Sequence, residues 1–389
     1  MTPVRPRLTR YIGVIVILVI VLVTTHSSIS GPGEYFPRIN PFSTSKCPDD
    51  LACLPKARYV SPRELLSRPF PLGEPCNASI PKIIHQSWSS KELPARFQRW
   101  SDTWRTNHPD WEWVLWTNED NSALVEQYFP WFRETYQQLG GEIFRADAAR
   151  NMYMYAFGGY APVKNQDNLR IYVDLDTECL RPFDRMLSSQ IATQVSTLQE
   201  SASPSESPLT PLYQHAFFGR MGPDPNHEHS IPNAWMASTP RHPFFMLPLE
   251  GIAQNLYSGY NYFVEGLTGP VALRYQIWMY ESHYNYGRDL IPYLRTTVMN
   301  KTYFETYDLR HSVTVLPPEM IYPFSWVSVW DGVVPYCLGG GTSFTERDLC
   351  KEELRVWENG AYCITYWTHT WTPEGHDEGH VESMQQVKQ

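Results

Sequence analysis

Ile171-Tyr-Val-Asp-Leu-Asp-Thr-Glu-Cys179 is the stretch on which the fold of this chain turns. Its first three residues are apolar or aromatic and read as a buried strand. Asp174 and Asp176 follow, separated by Leu175. Residues i and i+2 of an extended chain point to one face, which sets the two carboxylates side by side, about 6.5–7 Å apart by strand rise. Like charges that close repel and raise each other's pKa. A divalent cation between them, or bound by one directly and by the other through water, removes that cost. The pattern reads as a metal site that holds the diphosphate of a sugar donor. Taken alone, the dipeptide is better read as a strand running into a polar turn, where Asp and Thr are common, and the rest of the chain has to decide.

Outward from this stretch, Phe144 to Gly159 has Ala, Met and Tyr at helical spacing and ends in Gly158-Gly159, a helix with a glycine cap. Asp147 and Arg150 are i and i+3 on one helix face. They form either a surface ion pair of small worth or a pair that binds a sugar, Asp147 accepting from hydroxyls and Arg150 donating to sugar or phosphate oxygens. Residues Ala161 to Arg170 are polar, contain a proline and read as an exposed loop. Upstream, Ile83-Ile84 reads as a short buried strand with His85, Gln86 and Trp88 at its C-terminal end, where open α/β sheets bind ligands. For His85 the competing reading is a satisfied core histidine. Arg96–Asn107 reads as a helix, Trp111–Trp116 as a strand, Thr117–Asn121 as a polar turn and Ser122–Gln127 as a helix. That rhythm is the mark of parallel α/β architecture.

Downstream, Ser196–Pro211 reads as a mobile loop. A short strand lies within His229–Phe245, and helices follow over Phe245–Leu256 and from Thr268-Gly269-Pro270 to Tyr280. Val313–Leu316 and Ile321–Val329 read as strands. Ala361–Trp367 alternates as a strand and leads to His369 and Trp371. His369 is a candidate third metal ligand, since neutral imidazole suits Mn²⁺ beside carboxylate oxygens. Trp371 is a candidate indole donor to a phosphate.

The chain has 389 residues, 14% aromatic, with a net charge of −9. That balance excludes a binder of nucleic-acid phosphates, which needs a basic stripe. Arg5, Arg7 and Arg10 precede an uncharged apolar run, Tyr11–Thr25, a pattern that places the N-terminus in the cytosol and the body in a lumen. The expected plan is a cytosolic tail (1–10), a signal-anchor transmembrane helix (11–29), a lumenal stem (30–79), a catalytic domain (80–375) and a disordered tail (376–389); the competing reading of the apolar run is a signal peptide cut near Ser28 or Ser30. Asn77-Ala-Ser79 and Asn300-Lys-Thr302 are glycosylation acceptors. Seven cysteines in an oxidising lumen leave at least one thiol free. Cys47 with Cys53 would staple the stem, Cys337, Cys350 and Cys363 can pair among themselves, and Cys179 is the expected free thiol.

Taken together, Ile80–Trp88, Trp111–Asp120, Arg145-Ala-Asp147 through Gly159, Ile171–Pro182, Asn233–Phe245, Thr268-Gly-Pro270 and Trp367–Trp371 resemble glycosyltransferase family 32. In pattern they are nearest to mannosyl-inositol-phosphorylceramide synthase catalytic subunits and the initiating α-1,6-mannosyltransferase group. The resemblance implies a GT-A type, Rossmann-like α/β domain behind a transmembrane anchor, single-pass in the Golgi membrane. It also implies Mn²⁺, a nucleotide-sugar donor such as GDP-mannose, a glycan or glycosphingolipid acceptor, retention of anomeric configuration and an associated regulatory subunit. By position, Asp176 would bind the metal, and Asp174 would touch the donor and reach the metal through water. Asp147 and Arg150 would hold the donor sugar, His369 and Trp371 would close over metal and phosphates, and His85 and Trp88 would line the nucleoside pocket. Two features depart from the family: the ten residues Ala161–Arg170 before the acidic strand, and the His369-Thr370-Trp371 ending. The chain also lacks the C-terminal membrane span of the sphingolipid enzymes. Two rivals stand beside this reading: a glycosidase using Asp174 and Asp176 as its pair, and an inactive Golgi-anchored glycan-binding or regulatory subunit.

Overall fold

Alternation with period two builds the sheet. A computed structural model describes residues 54–68, 82–157, 169–200, 213–256, 263–283, 290–297, 310–326, 337–338, 344–368 and 384–386. The chain divides into residues 1–53 and 54–389, and all described residues belong to the second unit. The strands are β1 (Arg58–Tyr59), β2 (Ile83–Ser87), β3 (Glu92–Pro94), β4 (Glu112–Trp116), β5 (Arg170–Val173), β6 (Thr177–Cys179), β7 (Tyr213–Gly219), β8 (Trp235–Ser238), β9 (Arg310–Leu316), β10 (Cys363–Thr365) and β11 (Met384–Gln386). Seven of them form one sheet in the order β1-β4-β2-β5-β8-β7-β9. All its strand pairs are parallel except β5–β8 and β7–β8. Only β8 therefore runs against the rest, and six strands end on one edge. The fold is mixed α/β with a parallel-rich sheet. Beside it stand two small antiparallel pairs, β6–β10 and β3–β11.

Both faces of the sheet are covered, as parallel strands require. Ile83, Val114, Trp116, Tyr172, Phe218 and Met236 face one core, and Ile84, Trp113, Leu115, Ile171, Val173, Phe217 and Trp235 face the other. Helices supply the outer layers: α1 (Pro62–Ser67), α2 (Ala95–Asn107), α3 (Asn118–Tyr128), α4 (Glu142–Ala156), α5 (Asp184–Glu200), α6 (Met246–Leu256), α7 (Val264–Leu267) and α8 (Pro270–His283). Helix α2 packs Phe97, Trp100 and Trp104 into the second core. Thr117 is not part of a free turn. It caps α3 by accepting from the Asp120 amide while the Asp120 carboxylate accepts from the Thr117 amide.

Several expectations are corrected. Residues 54–68 belong to the folded unit rather than to a stem, because β1 pairs with β4 and Val60, Leu65 and Leu66 enter the core. Ile321 closes a helical turn (Pro318–Ile321) instead of opening a strand. Tandem prolines at 317 and 318 fix φ for a helix start. Helix α5 runs to Glu200, into the expected loop. Arg170 is not in an exposed loop. It opens β5, pairs with Ile83 and Ser238, and is fully buried. None of its three guanidinium nitrogens has a hydrogen-bond partner among the described residues, and burial pulls its pKa down to about 9. Residues 161–168 of the same segment lie outside the described residues, as do Gly158-Gly159 and the expected anchor at 11–29. Among the described residues no helix is long and apolar enough to cross a membrane.

Cys337 pairs with Cys350, as one of the expected combinations. Cys179 is free, as expected, and so is Cys363, directly opposite it in the β6–β10 register. Cys47, Cys53 and Cys76 lie outside the described residues.

A buried polar cluster ties β7 and β9 to α5. His215 Nδ1 lies 2.7 Å from Gln194 Oε1 and 3.0 Å from Ser312 Oγ. Burial lowers the His215 pKa to about 4. A histidine held neutral in the folded state binds fewer protons than the unfolded chain, so stability falls as pH drops from about 6.5 toward 4. At pH 5 the loss from this residue is about 2 kcal/mol. Urea unfolding at pH 7.5 and pH 5 is expected to show it, with a shallower pH dependence in His215→Gln.

Candidate active site at the strand ends

The edge on which the parallel strands end carries a cleft of about 800 Å³. Ser87, Trp88 and Ser89 reach it from β2, Asn118 from the end of β4, Asp174 and Asp176 from β5, and Asn233 and Ala234 from the entry to β8. The acidic pair is not on an extended strand. Strand β5 stops at Val173, and the Thr177 amide donates to the Asp174 carbonyl at 3.2 Å, closing a turn over residues 174–177. Both carboxylates line the cleft.

The turn is clamped from three directions. The Asp174 amide donates to Ala234 O at 2.8 Å, and the Trp104 indole donates to Thr177 O at 2.9 Å. The Tyr366 amide donates to Asp176 O at 3.0 Å, and the Thr177 and Thr365 hydroxyls meet at 3.0 Å. The Asp176 side chain is held by a residue far along the chain: Oδ2 accepts from the Thr368 amide at 2.9 Å and from its hydroxyl at 3.1 Å. Trp367, just before Thr368, adopts a left-handed backbone with φ 51°. An indole residue there costs about 1 kcal/mol or more, and its Nε1 donates to Phe324 O at 3.0 Å.

Asp174 is braced differently. Its Oδ1 accepts from the Tyr172 hydroxyl at 2.6 Å and lies 3.3 Å from Arg150 Nη1. Arg150 also donates to Asn233 O at 2.8 Å, pairs with Asp147 Oδ1 at 2.8 Å and lies over the Tyr172 ring at 4.7 Å. Asp147 is fully engaged: Oδ1 accepts from Asn233 Nδ2 at 3.0 Å and Oδ2 from Thr268 Oγ1 at 3.1 Å. The pair drawn from the helix spacing is therefore real, but it is buried. Its evident work is to fix Asp174. Burial pushes the Asp174 carboxyl up to about 6, with Arg150 opposing and Asp176 adding to the shift. Burial also raises Asp176, opposed mainly by the hydrogen bonds from Thr368.

Asp174 Oδ2 and Asp176 Oδ1 accept no hydrogen bond from another described residue. Two carboxylate oxygens left over at one cleft, on groups whose charge burial disfavours, fit a hard divalent cation such as Mn²⁺ or Mg²⁺. No group of three or more His, Cys, Asp or Glu able to hold a metal occurs among the described residues. His369 and Trp371 lie outside them.

Trp88 lines the cleft beside Phe97, ring centroids 5.2 Å apart. His85 does not. It is fully buried on the opposite face of β2, where Nδ1 accepts from the Trp116 indole at 3.1 Å and the ring stacks on Tyr153 at 5.6 Å. The period of the strand explains the difference: His85 shares the face of Ile83, which points into the first core. Residues missed as single positions are Tyr172, Asn233, Thr268 and Thr368. The last three stood in quoted stretches with no role, since nothing local shows that they converge on Asp147 and Asp176.

Residues 94–193 match the family model described as a glycosyltransferase sugar-binding region containing a DXD motif. Residues 94–193 thus form a DXD-type glycosyltransferase region, and Asp174-Leu175-Asp176 is an Asp-x-Asp sequence within it. Curated proteins similar to it include fungal mannosyltransferases. Inositol phosphoceramide mannosyltransferase 1 of Schizosaccharomyces pombe is 28% identical over 209 residues, covering 52% of this chain and 52% of the relative. Mannosyl phosphorylinositol ceramide synthase CSH1 of Saccharomyces cerevisiae is 29% identical over 195 residues, 49% of this chain and 41% of the relative. The initiation-specific alpha-1,6-mannosyltransferase of Candida albicans is 28% identical over 147 residues, 35% of each. The chain spans about half the length of the first of these and less of the others. Among solved structures, the PaToxG glycosyltransferase aligns with 73% of this chain and 89% of its own, at 13% identity and a TM-score of 0.32, too loose a likeness to carry an argument.

Proposed function

We propose that this chain is a GT-A type, metal-dependent glycosyltransferase that moves a hexose, mannose from GDP-mannose, onto a hydroxyl of a glycan or inositol-phosphoceramide acceptor. The observation that carries the reading is the pair Asp174 and Asp176 at the strand-end cleft, each with one oxygen uncommitted. Asp176 and Asp174 would hold the cation, which when bound neutralises the leaving diphosphate. Thr368 and Arg150 fix the two carboxylates before any ligand arrives, so little reorganisation is needed. Trp88 and Phe97 offer an aromatic wall for the nucleoside. Asp147 has both oxygens hydrogen-bonded and is poorly placed to be a nucleophile. That favours retention in which the departing phosphate accepts the acceptor's proton on the same face. Trapping of a glycosyl group on an Asp or Glu would refute this step.

The disulfide Cys337–Cys350 supports an oxidising compartment, in keeping with a Golgi lumenal body behind an anchor at 11–29. The test is donor hydrolysis by the full chain with Mn²⁺ across a panel of nucleotide sugars. GDP-mannose is expected to be cleaved at least tenfold faster than the other donors, and EDTA to abolish cleavage. Silence with every donor would remove the transferase reading. One observation favours a second reading, an inactive glycan-binding or regulatory subunit: the buried guanidinium of Arg170 at the head of β5, which has no hydrogen-bond partner among the described residues. On that reading GDP-mannose binds without turnover.

A further inference from the structure

We propose that the half of the cleft over β8, β7 and β9 is the acceptor subsite, and that it takes a neutral polyhydroxylated ring, such as a hexose of a glycan, in preference to a phosphate-bearing headgroup. This deepens the transferase reading and rests on it.

Strand β5 divides the cleft. On one side lie the ends of β2 and β4 with Trp88 and Phe97. On the other, the connection from β7 to β8 supplies His229, helix α7 supplies Glu265, and the segment after β9 supplies Trp326. The chemistry of this second side suits a ring of hydroxyls. Trp326 offers an aromatic surface, and the His229 ring meets it edge-on at 5.5 Å and 79°. A sugar presents an apolar C–H face to such a surface and its hydroxyls to the rim. The His229 ring nitrogens make no hydrogen bond to a described residue. The nearest carboxylate oxygen recorded, Glu228 Oε1, is 3.9 Å from Nδ1. Burial holds this imidazole below its usual pKa, and a neutral imidazole has one donor and one acceptor, the complement of a hydroxyl. Glu265 adds an acceptor.

Charge sets the preference. The cleft is lined by the carboxylates of Glu142, Asp147, Asp174, Asp176 and Glu265, while Arg150 is the sole Lys or Arg among its described lining residues. Arg150 is already paired with Asp147 and Asp174. A cation at the acidic turn would be matched to the donor's diphosphate. A further phosphate on the acceptor would face carboxylates with no free countercharge among the described lining residues, and like charges at close range repel.

The test is ligand-observed saturation-transfer NMR on the full chain with GDP and Mg²⁺, offering methyl α-D-mannopyranoside and myo-inositol 1-phosphate at equal concentration. The mannoside is expected to receive at least five times the saturation of the inositol phosphate. Trp326→Leu and His229→Ala are expected to cut the mannoside signal at least fivefold, whereas Trp357→Leu, at an exposed indole, is expected to leave it unchanged. Glu265→Lys is expected to narrow the preference at least threefold. Thermal melts identify any variant that fails to fold, and His229→Ala, the mildest change, then carries the result. Preference for the inositol phosphate, absence of saturation of either ligand, or a mannoside signal indifferent to both Trp326 and His229 would overturn the proposal. Donor hydrolysis reads the transferase assignment separately, so failure of one is distinguishable from failure of the other.

Discussion

Asp176→Ala is expected to lower GDP-mannose turnover about a thousandfold while leaving a folded protein. Removing a group that stabilises charge developing in the transition state commonly costs two to three orders of magnitude. Asp176 is the sharper choice of the two acidic residues because its held oxygen and its uncommitted oxygen have separate tasks. Oδ2 is fixed by Thr368, and Oδ1 is left for a ligand. Asp176→Asn can keep the hydrogen bonds from Thr368 but loses the negative charge, so it is expected to melt within a few degrees of the parent while losing activity nearly as completely. In Ala the Thr368 amide loses its partner, at about 1–3 kcal/mol, partly offset because burial already disfavours the Asp176 charge. Titration of activity with Mn²⁺ separates weakened cation binding, seen as a shifted midpoint, from a lost chemical step, seen as a lower plateau. Wild-type turnover in Asp176→Asn would exclude a metal role for this residue.

Arg150→Met is expected to destabilise the fold by about 3–5 kcal/mol, because it strands the buried carboxylate of Asp147 and the partly buried one of Asp174 at once. At about 2.1 cal/mol/K of unfolding entropy per residue, that is a fall in Tm of about 4–6 °C for a chain of 389 residues. The guanidinium contacts Asp147, Asp174 and the Asn233 carbonyl together, a fork that a lysine ammonium cannot reproduce. Arg150→Lys is therefore expected to recover only part of the loss. The pH dependence has a definite sign. Without Arg150 the folded-state pKa values of Asp147 and Asp174 rise further above their unfolded values. Their contribution is then present at low pH and lost as pH rises through the folded values. Measured without added metal, the deficit of Arg150→Met relative to the parent is expected to be smaller at pH 5 than at pH 7.5. A Tm unchanged from the parent would mean that Asp147 and Asp174 are satisfied without the cation.

Much of the frame was legible because its inner strands are short apolar runs. Ile83-Ile84 and Ile171–Val173 are apolar throughout, as strands covered on both faces are, Trp111–Trp116 carries the strand period, and the helix through Asp147 and Arg150 lies where its spacing puts it. What escaped depended on distant partners. Strand β7 contains Gln214 and His215, which look wrong for an interior until Pro240 O, Gln194 and Ser312 are seen to satisfy them. Strand β1 has two residues, too few for any pattern. At the site, the DXD pair and Trp88 could be picked out, and their shared cleft could be argued. The inward turn of His85, the engagement of Asp147 by Asn233 and Thr268, and the grip of Thr368 on Asp176 are set by tertiary register, which local spacing does not encode.

The hold of Thr368 on Asp176 spans 192 positions. A ribosome adding about 5–20 residues per second leaves roughly 10–40 s between the emergence of one and the other. Throughout that interval the acidic turn lacks its last clamp, and β6 lacks β10. The centre is thus among the last parts of the unit to be completed during synthesis. Chains released before residue 363 carry the residues of the acidic turn but can neither pair β6 with β10 nor hold Asp176 as it stands here.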